Sequence, residues 1–119
     1  MLTSSPKKKT KIFSFDIDGV ICSTVNGDYE EAVPKKKVIN KINKIYAAGN
    51  KVIIFTARYM GRTNDKLKYK KKIFMKTSNQ IKKFGIKYHK LFISKPSADV
   101  YIDDKGYGYN NSWIKKLIK

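Results

Sequence analysis

Acidic residues are scarce in this sequence, which has 9 Asp and Glu against 27 Lys and Arg and therefore a formal net charge of +18. The single cysteine, Cys22, excludes an internal disulfide framework, and the single histidine, His89, leaves no Cys/His cluster for structural zinc. No apolar run approaches the roughly 20 residues that cross a bilayer, and no apolar signal core follows the basic N-terminus. We therefore predict a cytoplasmic protein that is not associated with a membrane.

The excess of lysine is compatible with nucleic-acid binding, because clustered lysines neutralise phosphate charge. The lysines are, however, spread over almost every segment of the chain. Nucleic acid is therefore the less favoured partner, and the basic residues 1–10 are interpreted as a solvated tail. The remaining residues, 11–119, are predicted to form a single domain, because 41% hydrophobic residues suffice for a modest core.

Short apolar runs rich in β-branched and aromatic residues indicate buried strands. The first of them ends in "FDI", and the segment that follows it, 20–33, contains the turn signal "NGD" and is predicted to form a small hairpin or flap. The predicted strands are 11–17, 51–57, 90–94 and 99–104.

Helical periodicity lies between these strands. One helix is predicted from Pro34 to a stop signal at Gly49, and a Lys-rich helix is predicted over 67–84 with a stop at Gly85. A closing helix is predicted over 111–119. Strands that alternate with helices form a parallel sheet through right-handed crossovers. We therefore expect an α/β, three-layer, Rossmann-like fold with a small, mainly parallel sheet between helices.

Charged and hydroxyl side chains are concentrated where the predicted strands end. Ligands of such sheets bind beyond the carboxyl ends of the strands, so these side chains are predicted to share one site. Four carboxylates in a small volume require protons or a hard divalent cation, and oxygen ligands without His or Cys favour Mg²⁺. The side chains concerned are Asp16, Asp18, Thr56, Arg58, Lys95, Asp103 and Asp104.

From residue 11 to about 106 the chain resembles the haloacid dehalogenase (HAD) superfamily, and specifically its Mg²⁺-dependent phosphatases. The four elements that carry the resemblance are "DIDGV", the Thr56 of "FTAR", Lys95 and the acidic pair of "YIDDK", in that order. The combination "FDIDGVI…GDY…FTAR…GR…KP.AD.YIDDKG" is similar to a small capless subgroup associated with capsule and other polysaccharide biosynthesis. No insertion in the chain is long enough for a cap domain.

The resemblance implies a phosphatase mechanism with a covalent intermediate. Asp16 is expected to attack phosphorus and form an aspartyl-phosphate. Residues i and i+2 of an extended chain point to the same side, so Asp18 is expected to protonate the leaving group and later to activate water. Thr56 is expected to donate a hydrogen bond to the phosphoryl oxygens, and Lys95 to balance the negative charge.

The same resemblance implies a ligand set for Mg²⁺. It consists of an oxygen of Asp16, the backbone carbonyl of Asp18 and the acidic pair, with Asp103 expected to bind directly and Asp104 through water. If these residues are not catalytic, the alternative is that the acids cap turns and that Thr56 and Lys95 are an ordinary strand residue and a solvated lysine.

Arg58 and Arg62 are the only arginines among the many cations of the chain. Arginine makes bidentate contacts with phosphate or carboxylate that lysine does not reproduce. We therefore predict substrate contacts for both, together with Gly19 and Ala57 beside the motif residues. The alternative for the arginines is a structural ion pair with Asp65, Glu30 or Glu31.

The expected substrate is a phosphorylated sugar or a related small metabolite. The alternatives are a phosphatase for nucleic-acid ends or phosphoproteins and a non-catalytic binding module with the same fold. A capless site is expected to be closed by a flap, by the substrate itself or by a partner subunit of a homo-oligomer.

Overall fold

The computed structural model describes residues 10–59 and 69–106. Within these ranges a 3₁₀ turn over Tyr29–Glu31 separates the second strand from the third. The regular elements are β1 (Ile12–Phe15), β2 (Cys22–Ser23), β3 (Val33–Pro34), α1 (Lys36–Ala47), β4 (Lys51–Phe55), α2 (Lys70–Lys83) and β5 (Lys90–Phe92).

Three of the strands form one parallel sheet in the order β1-β4-β5. The register pairs Phe15 with Ile54 and Ile54 with Leu91, so the three strands end at the same edge. β2 and β3 pair antiparallel as a small hairpin. The predictions of an α/β fold, a small parallel sheet and a hairpin before the first helix are therefore confirmed.

The sheet is buried mainly on one face. Along β4, Val52 and Ile54 are buried whereas Ile53 between them is partly exposed. The crossovers β1-α1-β4 and β4-α2-β5 step in the same direction, so right-handed connections place both helices on one side. The predicted sheet between two helical layers is therefore not seen within residues 10–59 and 69–106. The predicted closing helix, 111–119, lies outside the described residues.

The core beneath α1 follows from its apolar periodicity. Four branched residues recur at helical spacing on one face of the helix, and each contributes about 1.5–3 kcal/mol when buried. α1 ends before Gly49, whose φ of 93° is the left-handed conformation typical of a helix stop. Pro34, predicted in the first turn, instead lies in β3, and α1 begins at Lys36. The buried residues are Val38, Ile39, Ile42 and Ile45.

The predicted strand 99–104 is not formed, since the described residues after Phe92 contain no strand. Val100 and Ile102 are exposed, the latter to 94%. A short strand is stable only when it adds to a sheet, and here the segment turns back on itself instead. The Tyr101 hydroxyl donates to the Pro96 carbonyl at 2.5 Å.

No helix within the described ranges has both the length and the apolar character needed to cross a membrane.

Thr77 on α2 is buried, and its hydroxyl has no hydrogen-bond partner. A buried hydroxyl without a partner costs free energy, and valine keeps the branched shape while removing the polar group. We expect Thr77→Val to raise the free energy of unfolding by about 1 kcal/mol, measured by urea denaturation. Thr77→Ser keeps the hydroxyl and removes a methyl group, so it should be less stable than the parent. A less stable valine variant would contradict the assignment.

Candidate functional site

Asp16 lies directly after β1 and contacts Lys95. One carboxylate oxygen, Oδ1, accepts a hydrogen bond from the Ile17 N–H at 2.7 Å, and the other, Oδ2, lies 3.4 Å from the Lys95 ammonium. The backbone N–H of Lys95 donates to the Thr56 carbonyl at 3.1 Å, which attaches the lysine to the end of β4. A carboxylate is thus held at the sheet edge beside a fixed positive charge.

Thr56 is fully buried at the end of β4. Its N–H donates to the Phe92 carbonyl of β5 at 3.0 Å, and its hydroxyl oxygen accepts from the Arg58 N–H at 3.1 Å. A hydroxyl group that accepts one bond still carries its own proton. The donation to phosphoryl oxygens that the resemblance implies for Thr56 stays a prediction.

Asp18 and Arg58 form a bidentate ion pair. The guanidinium donates from Nε to Oδ2 and from Nη2 to Oδ1, both at 2.9 Å, and the Thr24 hydroxyl donates to the same Oδ1 at 2.5 Å. The Arg58 side chain is only 2% exposed and that of Asp18 is 26% exposed. Burial alone would lower the pKa of Arg58, but the hydrogen bonds and charge of Asp18 more than offset this, so the pKa is raised.

Gln80, which the sequence did not single out, and Tyr29, the tyrosine of the "GDY" element, hold Arg58 in place. Its Nη1 donates to the side-chain oxygen of Gln80 on α2, and Gln80 donates in turn to the Tyr29 carbonyl at 2.6 Å. The Tyr29 ring lies 4.9 Å from the guanidinium carbon. No sequence signal identifies Gln80, because its contacts depend on where α2 packs. Arg58 therefore links the hairpin, the sheet edge and α2.

Gly19 lies in a turn directly after Asp18, where its N–H donates to the Cys22 carbonyl at 2.9 Å. Its φ of 85° is a conformation that side chains with a Cβ rarely adopt, which explains glycine at this position. Its carbonyl accepts from the Lys35 ammonium at 3.2 Å. Ala57 is half-buried between Thr56 and Arg58, which follow β4. Arg62 lies outside the described residues.

Asp103 and Asp104 are exposed and lie in the irregular segment after β5. The pKa of Asp103 is lowered, chiefly because its Oδ1 accepts a hydrogen bond from the backbone N–H of Lys105 at 2.7 Å. No group of three or more His, Cys, Asp or Glu able to hold a metal ion occurs among the described residues. The donor chemistry of the predicted set suits Mg²⁺, but the described positions of these two acids do not complete a site.

The structure thus brings five of the predicted side chains to one edge of the sheet and leaves two apart. The alternative partners predicted for Arg58 included Glu30 and Glu31, both of which are described. Glu30 pairs with Lys76 at 3.5 Å, and the ion pair that Arg58 forms within the described residues is with Asp18, not with Glu31. Asp65 lies outside them. The five are Asp16, Asp18, Thr56, Arg58 and Lys95.

Tyr101 is a further neighbour of the site that the sequence did not identify as such. Its ring centroid lies 4.2 Å from the Lys95 ammonium, a cation–π distance. Because this tyrosine belongs to the segment predicted as a fourth strand, only its tertiary position reveals the contact.

Cys22 is buried behind Asp18, where its sulfur lies 3.6 Å from the Arg58 Nη2. Burial raises the pKa of the thiol, so it is protonated at neutral pH. We expect iodoacetamide at pH 8 to label the folded chain at least about 100-fold more slowly than the chain in guanidinium chloride. Equal rates, measured by mass spectrometry, would show that the thiol is accessible.

The chain is similar in fold to a crystal structure of an MCSG target from Vibrio cholerae, with a TM-score of 0.76 and 23% sequence identity. The alignment covers 91% of this chain and 96% of that one. At this identity the likeness concerns the fold alone. No protein-family model and no curated protein matches the sequence.

Proposed function

We propose that the chain is a phosphomonoester hydrolase that works through an aspartyl-phosphate on Asp16, with a phosphorylated sugar or related small metabolite as substrate. The observation that carries the proposal is the Asp16 carboxylate held at the end of β1, 3.4 Å from the Lys95 ammonium and tied through that lysine to Thr56. A phosphate dianion repels an anionic nucleophile, so the attacking oxygen needs positive charge and fixed geometry beside it. Lys95 supplies both.

The reaction consists of two displacements at phosphorus. A carboxylate oxygen of Asp16 forms a bond to phosphorus while the bond to the leaving oxygen breaks, and Asp18 gives that oxygen a proton. Water then attacks the phosphorus of the aspartyl-phosphate and gives a proton to Asp18. The Asp16–phosphorus bond breaks, which releases inorganic phosphate and restores both carboxyl groups.

The contacts of Asp18 add a condition to this scheme. Arg58 donates to both oxygens of the carboxylate, and Thr24 donates to one of them. A general acid must carry a proton before it can donate one, so one oxygen of Asp18 has to be released from Arg58 and take up a proton from water when the substrate binds. Arg58 is suited to this exchange, because its guanidinium can bind an anionic group of the substrate in the same bidentate way as it binds the Asp18 carboxylate.

Mg²⁺ belongs to the proposal as a cofactor. Asp16 and the Asp18 carbonyl would hold it together with Asp103 and, through water, Asp104, which requires the segment 98–106 to approach β1. When bound, the ion supplies positive charge that offsets the negative charge of the phosphoryl group.

The test is release of inorganic phosphate from a panel of sugar phosphates, nucleotides and 3′- or 5′-phosphorylated oligonucleotides. We expect phosphate release with added Mg²⁺. EDTA treatment should lower the rate by at least about 100-fold, because the negative charge of the phosphoryl group is then uncompensated. Rates that Mg²⁺ restores after EDTA would support the proposal. Absence of release from every compound, or release unaffected by EDTA, would count against it.

The net charge of +18 favours one second candidate, a phosphatase for nucleic-acid ends. In the same panel this candidate predicts preferential release from oligonucleotides and a rate that falls steeply with salt. Preference for sugar phosphates, with little dependence on salt, would exclude it.

A further inference from the structure

A cavity of about 410 Å³ lies beside Arg58, between the 3₁₀ turn, the residues after β4 and α2. Its volume is within the range of small-molecule sites. Asp16, Thr56 and Lys95 are not among its lining residues, whereas Arg58 lines it and also binds Asp18. The cavity is therefore distinct from the site of attack on phosphorus and is joined to it by one guanidinium group.

The charged lining of this cavity has an excess of positive charge. Lys76 and Lys83 of α2 and Arg58 line it, against one acid, Glu30. Glu30 pairs with Lys76, and Arg58 is bound to Asp18. Lys83 forms no ion pair within the described part of the chain. The surplus charge favours an anionic group in the ligand.

The uncharged lining combines ring surfaces with hydrogen-bonding groups. Tyr29 and Tyr59 meet edge to face with ring centroids 4.7 Å apart. Phe84, directly after the C-terminal end of α2, also lines the cavity. Asn79 offers a side-chain amide, and Tyr29 and Tyr59 carry phenol hydroxyl groups. Apolar ring faces beside amide and hydroxyl groups suit a ring that carries hydroxyl substituents.

We propose that this cavity binds a hydroxylated ring that carries a carboxylate or a second phosphate, and that this ring is the leaving-group part of the substrate. Only the assignment of the ring as the leaving group rests on the proposed function. Gln80 lines the cavity and accepts a hydrogen bond from Arg58, so a ligand there contacts the residues that hold Arg58 on Asp18. Occupancy of the cavity would thereby affect the release of the Asp18 oxygen.

The binding experiment uses the full chain with glucuronate and glucose as probes, which are rings that differ by a carboxylate. Backbone amide shifts are followed by NMR at fixed salt during titration of each. We expect glucuronate to shift amides of the cavity residues and glucose to bind at least about tenfold more weakly. Lys83→Gln is expected to weaken glucuronate binding about tenfold. Lys82→Gln, on the same helix but outside the lining, is the matched control and should bind as the parent does.

Three results would overturn the inference: glucuronate shifts no cavity amides, glucose binds equally well, or Lys82→Gln weakens binding as much as Lys83→Gln does. The last result would mean that the net charge of the chain attracts the anion, not the cavity.

Measurement of phosphate release keeps the two proposals separate. If no substrate releases phosphate while glucuronate binding depends on Lys83, the cavity stands and the proposed reaction fails. The opposite outcome is that phosphate is released while Lys83→Gln leaves the KM unchanged for both anionic and neutral sugar phosphates. In that case the reaction stands and the role of the cavity in substrate binding is wrong.

Discussion

Asp16→Asn is expected to reduce phosphate release by at least about 10³-fold, because the amide oxygen is a poor nucleophile and no covalent intermediate forms. The fold should persist. The amide oxygen still accepts a bond from the Ile17 N–H, and the partly exposed contact with Lys95 contributes about 1 kcal/mol or less to stability. Single-turnover and steady-state rates, measured on protein with a parent-like melting curve, provide the check.

The matched control for this variant is Asp28→Asn, which removes the same charge from an exposed residue in the hairpin. Its rate should equal that of the parent. A folded Asp16→Asn protein that retains more than about a tenth of the parent rate would remove the nucleophile from the proposal, whereas trapping of a phosphorylated peptide containing residue 16 would support it directly.

Arg58→Met is expected to have the largest effect on stability, a loss of about 3–5 kcal/mol in the free energy of unfolding. The guanidinium side chain is 2% exposed and bonds to Asp18 and Gln80. Its removal leaves the Asp18 carboxylate and the Gln80 amide without their hydrogen-bond donor. The free energy lost in this way exceeds the net contribution of the ion pair to stability. Urea denaturation with a constant m-value measures the loss.

The control for this variant is Lys82→Met, which removes a positive charge from an exposed position and should change stability by about 0.5 kcal/mol or less. Arg58→Lys keeps the charge but not the planar fork, so it should fall between the two. If Arg58 also contacts the substrate, the lysine variant raises KM markedly even where it remains folded; an unchanged KM would restrict Arg58 to a positioning role. Equal stability of Arg58→Met and the parent would contradict the buried pair.

Much of the fold could be predicted from local patterns. Buried parallel strands contain nearly continuous apolar runs, and β1, β4 and β5 follow from such runs at 11–17, 51–57 and 90–94. The helix α1 follows from four apolar residues at helical spacing and the glycine after it. These signals depend only on neighbours along the chain, so the sequence contains them.

The segment 99–104 shows where this reasoning fails. Its three consecutive apolar residues, two of them β-branched, are typical of a strand, but a strand also needs an edge with which to pair. In the structure Tyr101 lies against Lys95 and Ile102 is exposed. Pairing is a long-range interaction, and nothing in six residues of sequence determines whether it forms.

For the candidate site, the sequence by itself determined the reactive groups: two carboxylates two residues apart after a buried strand, a threonine at the end of the next strand, and a lysine after the third. Their convergence follows from the parallel sheet, because its strands end at one edge. Only the tertiary structure decided that Arg58 binds Asp18, that Gln80 and Tyr29 hold Arg58, and that a cavity lies beside them. These contacts join residues up to 51 positions apart, and their geometry is set by how α2 and the hairpin pack, which no local pattern encodes.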